Sequence, residues 1–183
     1  MSLAIVAGEH AMTIADNLLI TGPPGIGKST LIRMVCDALG GHKLAGFSTR
    51  EIRHNGERLG FELVGLNGQT ALLSHVDVKS PFRVGKYGVD IAGFERFLKT
   101  IRFLEPGVDV IVIDEIGKME CFSAVFRTIV QSVLTSEKKA IATVAYRGGG
   151  FIAEVKERWD VDLRTLTWEN RDHILPDILG YLL

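Results

Sequence analysis

Residues Gly22, Pro23, Pro24, Gly25, Ile26, Gly27, Lys28 and Ser29 form a glycine-rich run ending in a lysine and a hydroxyl, the pattern G-x-x-x-x-G-K-[ST]. The spacing has a chemical reason. Glycines let the backbone curl so that successive N–H groups point inward at an anion. A helix opening at the lysine adds the partial positive charge of its N-terminus. Lys28 then reaches the β- and γ-phosphates of a triphosphate, Ser29 offers a hydroxyl to Mg²⁺, and Thr30 offers a further donor to a phosphate. The pattern is informative only between a strand and a helix. Both are expected here: the apolar run 17–21 precedes it, and Leu31, Ile32, Val35 and Leu39 follow at helical spacing.

A second pair of residues bears on the fate of the phosphates. Asp114 and Glu115 follow the wholly apolar run Val110, Ile111, Val112, Ile113. Such a strand is buried on both faces of a parallel sheet, and ligands bind at the carboxyl ends of these strands. Asp114 is therefore expected to hold Mg²⁺ with Ser29, directly or through water. Glu115 is placed to orient and deprotonate a water for attack on the γ-phosphorus, so the catalytic candidates are Glu115 and Lys28. Transfer to a bound acceptor has less need of a water-activating carboxylate, and Asp-Glu thus favours hydrolysis. A nucleotide or nucleoside kinase and an NTP-dependent binding switch stand as alternatives. Glu120 reads as a solvated surface charge rather than a residue that positions water. Thr143 lies in the core run 140–145, where its hydroxyl either senses the γ-phosphate or bonds the backbone. Arg50, Arg53, Arg58, Arg83, Lys86 and Arg147 are candidates to reach triphosphate charge.

These residues need a frame that brings 22–30 beside 114–115. The sequence predicts a strand at 17–21 and a helix at 28–39 ended by Gly40 and Gly41. Segment 46–87 reads as an antiparallel meander, because two strand-like runs flank Asn55 and Gly56, and Asn67 and Gly68 supply another turn. A helix over 91–103, a strand at 110–113, a helix over 123–134 and a strand at 140–145 follow. A helix near 152–158, a strand at 161–166 and a last helix after Thr167 complete the pattern. Strands alternating with helices give an α/β fold, a mostly parallel sheet covered on both faces, with the antiparallel hairpin region inserted or continuing the sheet. One domain is expected over 17–183, with residues 1–16 an N-terminal extension or tag remnant.

A chain of 183 residues, 46% hydrophobic, suits one core. A net charge of −1 supplies no basic field to gather nucleic acid or anionic lipid. The apolar stretches fall short of the ~20 residues a membrane span needs. Cys36 and Cys121 are far apart and lack CxxC partners, which argues against a disulfide framework or zinc site and for a reducing cytoplasm. A monomer is expected, with a homo-oligomer left open.

Longer strings are more selective than the loop. They are Gly-Phe-Ser-Thr-Arg-Glu-Ile-Arg at 46–53, Arg-Leu-Gly-Phe-Glu at 58–62, Val-Gly-Lys-Tyr-Gly-Val at 84–89, Ile-Asp-Glu-Ile-Gly-Lys-Met-Glu at 113–120 and Glu-Asn-Arg-Asp at 169–172. With the loop, this pattern resembles the small P-loop nucleoside-triphosphatases first described from thermophiles, a family that includes a human cancer-related member. The resemblance runs from about Asn17 to the C-terminus. It implies a three-layer, RecA-like P-loop NTPase fold, and slow hydrolysis of ATP, GTP, CTP and UTP to diphosphate and phosphate with little base selectivity. By position it extends nucleotide binding onto Val110, Ile111, Val112, Ile113, Asp114, Glu115, Ile116 and Gly117, with Glu115 at the place of the presumed base. The chain departs from the pattern in residues 1–16 and in Cys121, where a leucine is common. Trp159 and Trp168 lie in the variable tail, to pack in the core or stack on a base.

Overall fold

The computed structural model describes residues 17–183; the expected extension 1–16 lies outside the described residues. Alternation within the strands sets the layers. In β1 (Asn17–Thr21), Leu18 and Ile20 face one side of the sheet and Leu19 the other. In β7 (Val110–Ile116), Val110 and Val112 share the first side, and Ile111 and Ile113 the second. With a side-chain period of two and apolar residues at every position, both faces must be covered. Helices α1 (Lys28–Ala38) and α5 (Leu175–Leu182) cover the first face through Leu31, Ile32, Val35, Ile178 and Leu182. Helices α2 (Ile91–Leu98), α3 (Ala124–Leu134) and α4 (Phe151–Lys156) cover the second through Phe94, Phe97, Phe126, Val130, Ile152 and Val155.

The remaining strands are β2 (Leu44–His54), β3 (Glu57–Gly65), β4 (Thr70–His75), β5 (Arg83–Val84), β6 (Tyr87–Val89), β8 (Lys139–Val144) and β9 (Val161–Thr165). Among the described residues they join β1 and β7 in one sheet of order β5-β6-β4-β3-β2-β7-β8-β1-β9. The run from β2 to β9 is parallel, and everything beyond β2 is antiparallel. Strand β2 is the joint. Its first residues, Leu44 to Phe47, pair with β7, and Phe47 to His54 pair with β3. The meander therefore continues the main sheet. Phe47 locks this joint, its ring lying edge-on to Phe94, Phe97 and Phe126 at centroid distances of 6.0, 5.8 and 6.2 Å.

Two boundaries differ from the pattern reading. Helix α2 stops at Leu98 rather than near Phe103, because the chain tightens at Thr100, whose carbonyl accepts from the Asn67 side chain at 2.9 Å. Strand β7 continues three residues past Ile113, so Asp114 and Glu115 lie within the strand.

Candidate active site

The glycine-rich run bridges β1 to α1 at the carboxyl edge of the parallel strands. Gly25 has φ 77° and Gly27 φ 112°, left-handed values that L side chains rarely adopt. Gly27 caps α1 without a side chain, and the first turn of the helix holds no acidic residue. The N–H groups of that turn, which have no acceptor within the helix, are left for an outside anion. Gly22, Pro24, Gly25, Gly27, Lys28, Ser29 and Thr30 line one wall of a cavity of about 1090 Å³. Pro23 and Ile26 do not line it: Pro23 is exposed, and Ile26 is buried in the core beneath the loop. The Lys28 ammonium donates to the Gly22 carbonyl at 3.2 Å and lies 3.7 Å from Glu115 Oε2.

Pairing between β7 and β8 slips between Ile113 and Ile116, which falls on Asp114 and Glu115. Such irregularities re-aim side chains. Asp114 is fully buried, and its Oδ1 accepts from the Thr143 hydroxyl on β8. Thr143 thus serves the carboxylate, a role different from either of its sequence readings. Asp114 Oδ2 is buried without a well-formed hydrogen bond. Burial pushes this carboxyl up, while Thr143, Ser29, Lys28 and the Thr49 amide favour its charged form. Thr143→Val leaves the carboxylate without its donor and is expected to cost about 2 kcal/mol, the scale of a hydrogen bond to a charged group. A thermal melt should show Tm lowered by roughly 4–8 °C for a chain of this size.

Five residues assigned to nucleotide binding by resemblance lie outside the cavity lining. The side chains of Val110, Ile111, Val112, Ile113 and Ile116 are buried in the core and line no part of the cavity. They carry Asp114 and Glu115 into place. Glu115 and Gly117 do line the cavity. Burial pushes the Glu115 carboxyl up, and Lys28 draws it back down.

Glu120 is a correction. It is 5% exposed, not a solvated surface charge. The chain turns directly after β7, with the Cys121 amide bonded to the Gly117 carbonyl at 3.0 Å, and a 3-10 turn over Glu120–Phe122 folds the carboxylate under. A Cβ on Gly117 would lie 2.7 Å from Glu120 Oε2 and 3.0 Å from Glu115 Oε1, so the two carboxylates converge over this glycine. Burial, with Glu115 and Asp114 adding to it, pushes the Glu120 carboxyl up to about 8. The folded protein then keeps this proton up to about pH 8, whereas the unfolded chain releases it near 4.5. Stability contributed at Glu120 is full below pH 4.5, falls as pH rises towards 8, and is level above. Glu120→Gln removes this dependence. The variant should melt above wild type at high pH, with the gap closing on acidification.

The basic candidates separate cleanly. Arg50 pairs with Glu62, Arg53 and Arg58 with Glu51, and Lys86 with Glu57, while Arg83 donates to the Val78 and Lys86 carbonyls. These five are committed within the meander. Arg147, just after β8, lines the cavity, is exposed, and has no ion pair or hydrogen bond among the described residues. Lys118, which sequence reasoning overlooked, shares that description and sits inside the selective 113–120 string. Trp159 and Trp168 are 81% and 64% exposed, so neither packs in the core; Trp168 carries the Arg171 guanidinium 4.3 Å over its ring.

The family model described as NTPase matches residues 17–179. The chain belongs to the NTPase family. Within it, the chain is 40% identical over 168 residues to the nucleoside-triphosphatase THEP1 of Thermotoga sp. (strain RQ2), covering 90% of this chain and 94% of that protein. It is also 40% identical over 182 residues to the human cancer-related nucleoside-triphosphatase, covering 91% and 96%. The crystal structure of THEP1 from the hyperthermophile Aquifex aeolicus matches with a TM-score of 0.78 at 35% identity, over 91% of this chain and 98% of that one. The α/β architecture implied by the resemblance is thus that of its NTPase relatives. Among the described residues no helix is long and apolar enough to cross a membrane.

Proposed function

We propose that this NTPase hydrolyses nucleoside triphosphates to the diphosphate and phosphate, with Mg²⁺ and with little selection among bases. One observation carries the reading: a lysine at the start of the phosphate-binding helix lies 3.7 Å from a carboxylate on the cavity wall. The first is a counter-charge for the terminal phosphate, and the second is an acceptor for a proton.

A triphosphate on the loop exchanges the Gly22 carbonyl and Glu115 for its own β- and γ-oxygens as partners of Lys28. Glu115, released from that ion pair, takes a proton from water as the water oxygen bonds to the γ-phosphorus. The bond from phosphorus to the β-phosphate oxygen breaks, and the diphosphate leaves with the electron pair. Backbone N–H groups and Lys28 oppose the charge that develops. Asp114 and Ser29 would hold the metal. The buried Asp114 carboxylate, with its unpartnered Oδ2, and the Ser29 hydroxyl near it form an oxygen donor set that suits a hard cation. A cation held there would supply positive charge against that of the phosphates. Asp114 lies just behind the cavity wall and would act on such a cation directly or through water.

Weak base selection fits the lining, which among the described residues contains no Asn, Gln or His to read a base edge. A cytoplasmic setting fits Cys36 and Cys121, unpaired thiols pushed up by burial to about 11 and about 12. Arg147 is expected to meet triphosphate charge. Arg147→Ala should raise KM about tenfold, the worth of one charge-assisted contact, in steady-state phosphate release. The reading itself is tested in ¹⁸O-water. Label should enter inorganic phosphate alone; label in the diphosphate would place the attack elsewhere.

A further inference from the structure

Hydrolysis frees a phosphate anion, which must leave by a path that the diphosphate does not block. In the reading above, the diphosphate stays on the loop between β1 and α1, and the γ-phosphate lies at Lys28 and Glu115. Beyond Glu115 the cavity wall is Gly117 and then Lys118, where the chain leaves β7. Lys118 is exposed and has no partner among the described residues. It also lines a second cavity, of about 810 Å³, bounded by α3, α4 and the β5–β6 turn. Val84 and Gly85, at that turn, line both cavities as well, so the two meet there. We propose that this second cavity binds inorganic phosphate on its way out of the site. The proposal rests on the hydrolytic reading.

The charge of the lining selects an anion. Arg83, Lys118 and Arg127 bring three cations to it, and Glu154 of α4 is its one carboxylate. None of these four residues has an ion pair among the described residues. The two arginines are nevertheless held in place. Arg127, half-buried on α3, donates to the Cys121 carbonyl at 2.6 Å. Arg83 donates to the Lys86 carbonyl at 2.7 Å and to the Val78 carbonyl at 3.5 Å. A carbonyl fixes a guanidinium without cancelling its charge, and each guanidinium keeps N–H donors to spare. In the meander the opposite holds, because Arg50, Arg53, Arg58 and Lys86 each meet a glutamate. Fixed guanidinium groups with uncancelled charge suit the oxygens of phosphate.

The rest of the lining agrees with this occupant. The N–H groups of Gly148 and Gly149 have no acceptor among the described residues and add neutral donors. Phe151 and Ile152 contribute apolar wall, which strengthens attraction between charges by displacing water. At about 810 Å³ the cavity has room for phosphate together with water, which suits a station on an exit path better than a tight store. Lys118, on the lining of both cavities, is placed to hand the anion from one to the other.

The experiment follows the width of the ³¹P resonance of inorganic phosphate during titration with the protein. Mg²⁺ and saturating AMP-PNP, a non-hydrolysable ATP analogue, keep the loop occupied, and chloride holds the ionic strength constant. Saturable broadening with the loop occupied is the expected result. Arg127→Gln and Arg83→Gln should each weaken phosphate binding about tenfold, the scale of one charge-assisted contact, with AMP-PNP affinity unchanged. Glutamine can still donate to the carbonyl that each arginine holds, which spares the local fold. Glu154→Gln removes the one carboxylate and should tighten phosphate about twofold to threefold, a gain that misfolding does not produce. Broadening that AMP-PNP abolishes would put phosphate on the loop alone and overturn the proposal. Absence of saturable broadening, or broadening that none of the three substitutions alters, overturns it too. Each of these results leaves hydrolysis standing. A wild type that neither binds AMP-PNP nor releases phosphate from ATP strikes the hydrolytic reading itself, and the proposal falls with it.

Discussion

Glu115→Gln is expected to lower the rate of phosphate release by about 10²–10⁴-fold while ATP binding persists, the range for loss of a general base. The amide keeps the size of the carboxylate but cannot take a proton from water. It also breaks the 3.7 Å ion pair with Lys28, and this is why binding should hold or tighten slightly. In the wild type, Lys28 must leave Glu115 to meet a phosphate; in the variant it has only the Gly22 carbonyl to leave. Single-turnover phosphate release, with ATP affinity measured on the same preparation, separates the two effects. Unchanged release would remove Glu115 as the base, and loss of binding together with rate would make it a structural residue.

Lys28→Met should weaken ATP binding by about 10²–10⁴-fold, from two charge-assisted contacts worth about 1.5–3 kcal/mol each. The side chain is 11% exposed, already drawn over the loop and aimed into the cavity. Methionine keeps the stem and removes the charge, so packing of the loop is spared. ADP should lose less than ATP, because one of the two contacts is to the γ-phosphate. Titration of both nucleotides against wild type and variant decides the matter. Equal losses would place Lys28 away from the terminal phosphate, and no loss would remove it from the site.

What the sequence reveals about this site follows from how local each feature is. The loop is legible because its geometry is written in neighbouring residues: glycines where φ is positive, then a lysine as the helix opens. The hairpin is legible for the same reason, since Asn55 and Gly56 both adopt positive φ, 49° and 81°, as a tight two-residue turn requires. Strand β7 shows itself as an uninterrupted apolar run. Its last three residues do not, because Asp114 and Glu115 look like the end of a strand, while the chain instead keeps pairing through a register slip. The donor for Asp114 comes from Thr143, 29 positions away, across a strand pair that no local pattern specifies. Glu120 misleads for a related reason. A glutamate between Met119 and Cys121 reads as surface until the turn after β7 is known to fold it inward. The basic residues of the meander were indistinguishable in sequence. Pairing with Glu51, Glu57 and Glu62 commits most of them, while Arg147 and Lys118, outside the meander, stand unpaired at the cavity among the described residues.

Phosphate release from ATP, GTP, CTP and UTP by the wild-type protein, with Mg²⁺ and with the metal chelated, bears most directly on the hydrolytic reading. Release from all four at rates within about tenfold of one another is expected, because the lining, among the described residues, holds no Asn, Gln or His amide or ring to select one base edge. Chelation should abolish release and added Mg²⁺ restore it. Release from none of the four, or release indifferent to the metal, would contradict the assignment of the loop, Asp114 and Glu115 to triphosphate hydrolysis.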